Sequence, residues 1–413
     1  MQRVLIIGKV WPEPTSSAAG SRTLELIEVF QAMQFKVLFA STAAQGEFCF
    51  DLSRLAVESH HITLNDPSFD RFVKDLQPEV VLFDRFITEE QFGWRVREVC
   101  PNALRILDTI DLHGLRRARH DAVKKGESFN TRALWNHESA VREIASIYRC
   151  DLSLMISEAE MRILDEVFKV PAQLLHYTPF MLEPLSQAQV NAWPGFEQRN
   201  GFVSIGNFLH EPNWDAVLWL KTEIWPFIRK KIPKAELLVY GAYPSQKVHQ
   251  LHNPSDGFLI KGRAESASEV MKAARVCLAP LRFGAGLKGK LMDAMCNGTP
   301  SVTTSVGAEG MHSTLSWAGT VADGATDIAQ AAVDLYTKPQ AWKLASEQGV
   351  EIINKVFSKS EHSTKLVNKI TWLCNHLEDH RHQNFVGHML ANQGLAATKY
   401  MALYIEAKNK IGR

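Results

Sequence analysis

The stretch Arg275-Val-Cys-Leu-Ala-Pro-Leu-Arg-Phe-Gly-Ala-Gly-Leu-Lys-Gly-Lys-Leu-Met-Asp-Ala-Met295 decides how the chain is read. An apolar run ends at Leu281, a loop carries Gly284, Gly286 and Gly289, and an amphipathic segment follows with Leu291, Met292 and Met295. Strand, glycine loop and helix in that order are a unit of a parallel α/β sheet. Glycines let the backbone turn sharply and approach a ligand, while the helix start supplies unpaired N–H groups and a positive dipole end. Lys288 and Lys290 stand where that dipole prefers acidic side chains, a conflict that a bound polyanion would resolve. The alternative is two solvated lysines in a flexible loop. Gly284 to Lys290 also has P-loop spacing, but Leu291 occupies the position where that loop needs Ser or Thr for magnesium, and no Asp-x-Asp pair offers a metal–diphosphate site.

The same alternation extends outward. Val4–Gly8, Lys36–Thr42, Glu79–Asp84, Leu104–Asp108 and Leu152–Ser157 read as buried parallel strands, with helices such as Arg22–Met33, Glu89–Cys100 and Glu158–Val167 between them. Pro179, Pro184, Pro194 and Gly195 interrupt the pattern, which restarts with Phe202–Gly206, Glu236–Gly241, Arg275–Leu281 and Ser301–Thr304. The expected fold is α/β, with two Rossmann-like domains facing each other across a cleft: an N-terminal acceptor-side domain over 1–180, a linker over 181–200, a C-terminal donor domain over 201–357 and a helical tail over 358–413. In the tail, Phe385, Met389, Ala397, Met401 and Tyr404 lie near one helical stripe, expected to pack back onto the body, with a membrane or dimer contact as the alternative.

Composition narrows the function classes. Of 413 residues 46% are hydrophobic, enough for two or three cores, and 46 Lys+Arg against 45 Asp+Glu argue against a general nucleic-acid binder. Six scattered cysteines without a C-x-x-C pair imply reduced thiols in a cytoplasmic protein. Val4–Ile7 is too short for a signal peptide, and no uncharged apolar run reaches the ~18 residues of a membrane span. A peripheral membrane contact stays open.

The run Ala279 to Leu291, then Asp293-Ala-Met, then Asn297-Gly-Thr-Pro-Ser-Val-Thr-Thr-Ser-Val-Gly-Ala-Glu-Gly310, resembles bacterial glycosyltransferases of family 4. Phe202-Val-Ser-Ile-Gly-Asn, Pro212-Asn213 and Leu237-Leu-Val-Tyr-Gly241 resemble the same family, densely from Gly201 to Met311. The N-terminal likeness rests on Ser157-Glu-Ala-Glu160 and Gly20-Ser-Arg22. The resemblance implies the GT-B fold, a nucleoside diphosphate sugar of UDP or GDP type as donor, a glycan, lipid-linked or other acceptor, retention of configuration, and no metal or further cofactor.

It also assigns residues. The family's paired acids fall at Ala285 and Asp293. Asp293 would accept from the ribose hydroxyls, and the acid missing at Ala285 would be replaced by backbone amides from Ala285 through Gly286 and Leu287 to Lys288. The alternative for Asp293 is a surface partner of Lys290. The family's diphosphate-binding Arg and Lys fall, next to Gly206, on Asn207 and approximately Asn213. Lys288 and Lys290 would then supply the charge, with Lys288 favoured for the phosphates. Gly262 and Arg263 lie where the family grips the nucleobase, although Arg263 also reads as an ordinary surface arginine. Gly20 would lie across the cleft from the phosphates, and His113 and Asp111 would stand near the sugar as candidate catalytic residues. Arg116-Arg117-Ala-Arg119 reads as a solvated helix face, with an acidic acceptor or lipid head group as the alternative, and His376, His380 and His382 as exposed polar residues. Two rival functions remain at this point: a nucleotide-sugar epimerase on the same fold, and a non-catalytic GT-B-like binding protein.

Overall fold

The computed structural model describes residues 2–392 together with Tyr400, Met401 and Tyr404. The first sheet is built from β1 (Arg3–Gly8), β2 (Lys36–Ser41), β3 (Glu58–His61), β4 (Val80–Asp84), β5 (Leu104–Asp108), β6 (Leu152–Met155) and β7 (Leu175–Tyr177). These run parallel in the order β3-β2-β1-β4-β5-β6-β7. The second sheet contains β8 (Phe202–Ile205), β9 (Leu237–Tyr240), β10 (Phe258–Gly262), β11 (Val276–Ala279), β12 (Ser301–Thr303) and β13 (Gly319–Val321), parallel in the order β10-β9-β8-β11-β12-β13. Two parallel sheets flanked by helices are the predicted architecture. Central strands such as Val80–Asp84 and Val276–Ala279 are buried along their whole length, as strands covered on both faces must be.

In each sheet the order reverses once, between β1 and β4 and between β8 and β11. Crevices at such switch points, beyond the carboxyl ends of the strands, are where ligands of open α/β sheets bind. Segments that follow strand ends meet between the two halves, with Asp111 after β5 against Gly286 after β11, so the two crevices open onto one seam.

The helix Lys359–Asn375 returns to the first sheet, where Leu366, Ile370 and Leu373 join the core around Val4, Ile6, Leu82 and Leu154. The end of the chain departs from expectation. Phe385, Met389, Met401 and Tyr404 are exposed rather than packed, and Ala397 lies outside the described residues. The helix Phe385–Ala391 instead docks through Gly387 and Asn384, whose amide donates to the Tyr148 carbonyl at 2.8 Å. His380 is buried, not exposed, because its Nε2 meets the Asp151 carbonyl at 2.7 Å. No helix among the described residues is long and apolar enough to cross a membrane.

Candidate active site

The glycine loop lies where the C-terminal sheet reverses, between β11 and the helix Gly289–Cys296. That helix starts at Lys288 with no side-chain cap and no acidic residue in its first turn. Its positive end is therefore not neutralised by its own sequence. Gly286 adopts φ +63°, and a Cβ there would sit 2.8 Å from the Asp111 Cβ, so only glycine fits this approach to the N-terminal domain. Gly289 meets Ala18 as closely: a Cβ would lie 2.6 Å from the Ala18 methyl. The start of the helix Ala18–Ala32 thus faces the start of Gly289–Cys296 across the seam. Gly20, two residues on, packs against the Glu13 backbone and donates its N–H to its own helix cap, Ser17 Oγ, at 3.2 Å.

The two lysines part company. Lys288 folds back, donating from Nζ to the Gly286 carbonyl at 2.5 Å and the Ala285 carbonyl at 3.3 Å. Lys290 reaches Asn213 Oδ1 at 2.7 Å, and its Nζ lies 2.8 Å from where a Gly206 Cβ would be. Its ammonium therefore occupies the end of β8, beside Asn207, whose carbonyl accepts from Asn213 Nδ2 at 2.8 Å. Lys290 does not pair with Asp293, which overturns that alternative. Burial pulls both ammonium groups down to about 8, with Glu309 offsetting part of the effect at Lys288. Asp293 has no ion pair among the described residues, and burial pushes its carboxyl up to about 6. The expected row of free loop amides is also incomplete: Gly286 N–H donates to Glu160 Oε1 at 2.7 Å and Lys288 N–H to Met311 Sδ at 3.2 Å. Ala285 and Leu287 bury their side chains in the cores on either side of the seam.

Across the seam, Asp111 and His113 follow β5. His113 Nε2 lies 3.2 Å from Asp111 Oδ1, Asp111 Oδ2 pairs with Arg116, and His113 Nδ1 is buried without a partner. Burial alone would raise the Asp111 carboxyl, but Arg116 and His113 hold it well below the usual carboxylate range. Burial pulls the His113 imidazole below its ordinary value and outweighs Asp111, which favours the neutral ring. The helix His113–Lys125 begins on a carboxylate: Glu143 accepts from His113 N–H and Gly114 N–H, each at 3.0 Å. Burial raises that carboxyl to about 8.

The arginine run is not a solvated face. Arg116 and Arg119, three residues apart, turn inward, and only Arg117 remains exposed. Arg119 donates to the Gly284 carbonyl at 2.9 Å and pairs with both carboxylate oxygens of Glu309 at 2.7 and 2.8 Å, tying the glycine loop to the N-terminal domain. Glu160 adds a second tie, since its Oε1 accepts from Leu112 N–H at 3.0 Å as well as from Gly286. Burial and then the Asp111 charge raise the Glu160 carboxyl to about 7. Sequence reasoning missed Glu143, Glu160, Arg119 and Glu309 as site residues. The one signal was the polar spacing within Arg116-Arg117-Ala-Arg119 and Ser157-Glu-Ala-Glu160.

Gly262 ends β10 at φ +73°, and the next residue closes the far end of the seam. Arg263 is no ordinary surface arginine: its Nη2 donates to Thr15 Oγ1 at 2.8 Å, and its guanidinium lies 4.1 Å from the Phe48 ring centroid. Beside it, Tyr243 OH donates to Glu13 Oε2 at 2.9 Å. Among the described residues no cluster of His, Cys, Asp and Glu has the grouping of a metal site.

Residues 199–338 match the family model described as Glycosyl transferases group 1. No curated protein sequence matches the chain. Among solved structures, it resembles sucrose-phosphate synthase from Thermosynechococcus elongatus at 16% identity and a TM-score of 0.67, covering 90% of this chain and 99% of that one. HepE of Anabaena, solved in complex with UDP and glucose, is 13% identical with a TM-score of 0.67, covering 90% and 100%. WaaG, a glycosyltransferase involved in lipopolysaccharide biosynthesis, is 14% identical with a TM-score of 0.60, covering 89% and 99%. The chain shares the GT-B fold of these proteins, and its segment 199–338 is similar to group 1 glycosyl transferases.

Proposed function

We propose that the protein is a glycosyltransferase that takes a sugar from a nucleoside diphosphate donor held by the C-terminal domain and passes it to an acceptor on the N-terminal domain. One observation carries this reading: an uncapped helix start, the Lys290 ammonium at the end of β8 and the unpaired Asp293 carboxylate converge at the switch point of the C-terminal sheet. The match of residues 199–338 to group 1 glycosyl transferases supports it, and so does the GT-B likeness to HepE, which was solved with UDP-glucose.

In this reading the helix start and Lys290 take the diphosphate, Asp293 accepts from the ribose hydroxyls, and the segment at Gly262 and Arg263 borders the base. Lys288 is bound to its own loop carbonyls and serves to hold that loop. Charge that develops on the departing diphosphate is stabilised by groups already in place, so no metal is required. His113, flanked by Asp111 and with its buried Nδ1 unpartnered, stands on the acceptor side as a contact for a sugar hydroxyl. The seam sealed by Arg119, Glu309 and Glu160 keeps water from the donor. Retention of configuration is the stereochemical outcome that accompanies this family likeness.

A thermal-shift panel of UDP, GDP, ADP and their sugars tests the donor reading. One nucleotide class should stabilise the protein, by ~2.7 kcal/mol at a hundred times its Kd, and should do so in excess EDTA. No shift from any nucleotide, or a shift that requires added magnesium or manganese, contradicts it.

A further inference from the structure

The N-terminal sheet has its own switch point, between β1 and β4, and the residues there are basic. The register pairs Ile7 with Phe83, so Lys9 follows β1 beside Arg85, which follows β4. Asp84 Oδ2 accepts from Lys9 N–H at 3.0 Å and from Arg85 Nη1 at 3.1 Å. Arg85 itself is held at φ +70°, a left-handed conformation that side-chain-bearing residues rarely adopt. The helix after β5 adds Arg116 and Arg117 to the same crevice. Asp84 is occupied by Arg85 and Asp111 by Arg116 and His113, while the buried Glu143 and Glu160 act on Arg116 from behind.

Among the described residues the Lys9 ammonium and the Arg117 guanidinium have no carboxylate partner, and both side chains are exposed. Arg117 is aimed by a hydrogen bond to the buried Ser139 hydroxyl. The Lys9 ammonium is pulled below its ordinary value by partial burial and by the charges of Arg85, Arg117 and Arg116, with Asp84 offsetting only part. Like charges gathered at a crevice repel one another unless an anion lies between them. The crevice adjoins His113, whose Nδ1 is buried without a partner.

We propose that Lys9 and Arg117, with Arg85 behind them, form a subsite for an anionic group of the acceptor, a phosphate or a carboxylate, beside His113. This rests on the glycosyltransferase reading for the word acceptor, but not for the anion. A charge there would fix the register of the acceptor while its hydroxyl lies toward the seam. The shared chemistry fits a lipid-linked phosphate or an acidic glycan.

The test is calorimetric, with UDP saturating the donor site and four probes: geranyl diphosphate against geraniol, and digalacturonate against maltose. At least one anionic probe should bind tenfold or more tightly than its neutral counterpart, and its affinity should fall as salt rises. Preference for geranyl diphosphate identifies a lipid-linked phosphate, and preference for digalacturonate an acidic glycan. K9Q/R117Q should lose at least tenfold of that affinity while its UDP affinity and melting temperature stay unchanged. Equal binding of charged and neutral probes, or an unchanged affinity in K9Q/R117Q, overturns the subsite. If the wild type binds none of UDP, GDP and ADP, the donor reading fails separately, and the anion titrations are run without nucleotide.

Discussion

Two helix starts face each other across the seam, and the protein treats them oppositely. The helix His113–Lys125 begins on the Glu143 carboxylate, which accepts from its first two amides, while Glu160 takes the amide of Leu112 just before it. The helix Gly289–Cys296 begins with no side-chain cap and carries Lys290 in its first turn. A hydrogen-bond acceptor is built into the first site, and at the second it must come from outside. The difference separates a helix start used for positioning His113 from one used for holding a ligand.

The largest expected effect lies on the internally capped side. Glu143→Ala leaves two buried amides unpaired and should destabilise the protein by ~2–4 kcal/mol, read as a fall in melting temperature. An unchanged melting temperature would mean the carboxylate does not hold that helix start. On the ligand side, Asp293→Asn should weaken nucleoside diphosphate binding by ~1–3 kcal/mol, the loss of a charge-assisted acceptor, with the fold intact. Equal affinities by calorimetry would remove Asp293 from the ribose.

The pH dependence sharpens the same contrast. Burial pushes the Asp293 carboxyl up to about 6 and pulls the Lys290 ammonium down to about 8. Nucleoside diphosphate affinity should therefore fall as pH drops below about 6, where the carboxylate is protonated, and fall again above about 8, where the ammonium is neutral. Asp293→Asn should flatten the acid limb and Lys290→Gln the alkaline one. A profile unaltered by either substitution assigns the limbs to other groups.

Smaller still is the effect of the latch. Arg119→Lys keeps the charge but cannot span both Glu309 oxygens and the Gly284 carbonyl. We expect ~1 kcal/mol of lost stability and faster hydrolysis of the donor by water when no acceptor is present. Hydrolysis at the wild-type rate would show that the latch does not govern water entry.

The central strands were legible because strands buried on both faces appear as unbroken apolar runs, Val80–Asp84 being one. Glu58–His61 and Gly319–Val321 were not, since these edge strands are short and mostly not buried. The glycine loop was legible as a local pattern of residue types. Its partners were not, because Glu160 and Arg119 lie 126 and 165 residues from the loop amide and carbonyl they bond, and no local pattern encodes such pairs. The choice between Lys288 and Lys290 turned on rotamers: one amine folds onto the loop, the other extends to Asn213.

That choice is also the most direct test of the account. Calorimetry with Lys290→Ala and Lys288→Ala, each titrated with the nucleoside diphosphate and with the free nucleoside, separates phosphate from base binding. Lys290→Ala should lose ~1–2 kcal/mol toward the diphosphate alone, a loss that shrinks as salt rises, while Lys288→Ala weakens both ligands alike through the loop. A Lys290→Ala variant that binds the diphosphate like the wild type would contradict a diphosphate site at this helix start.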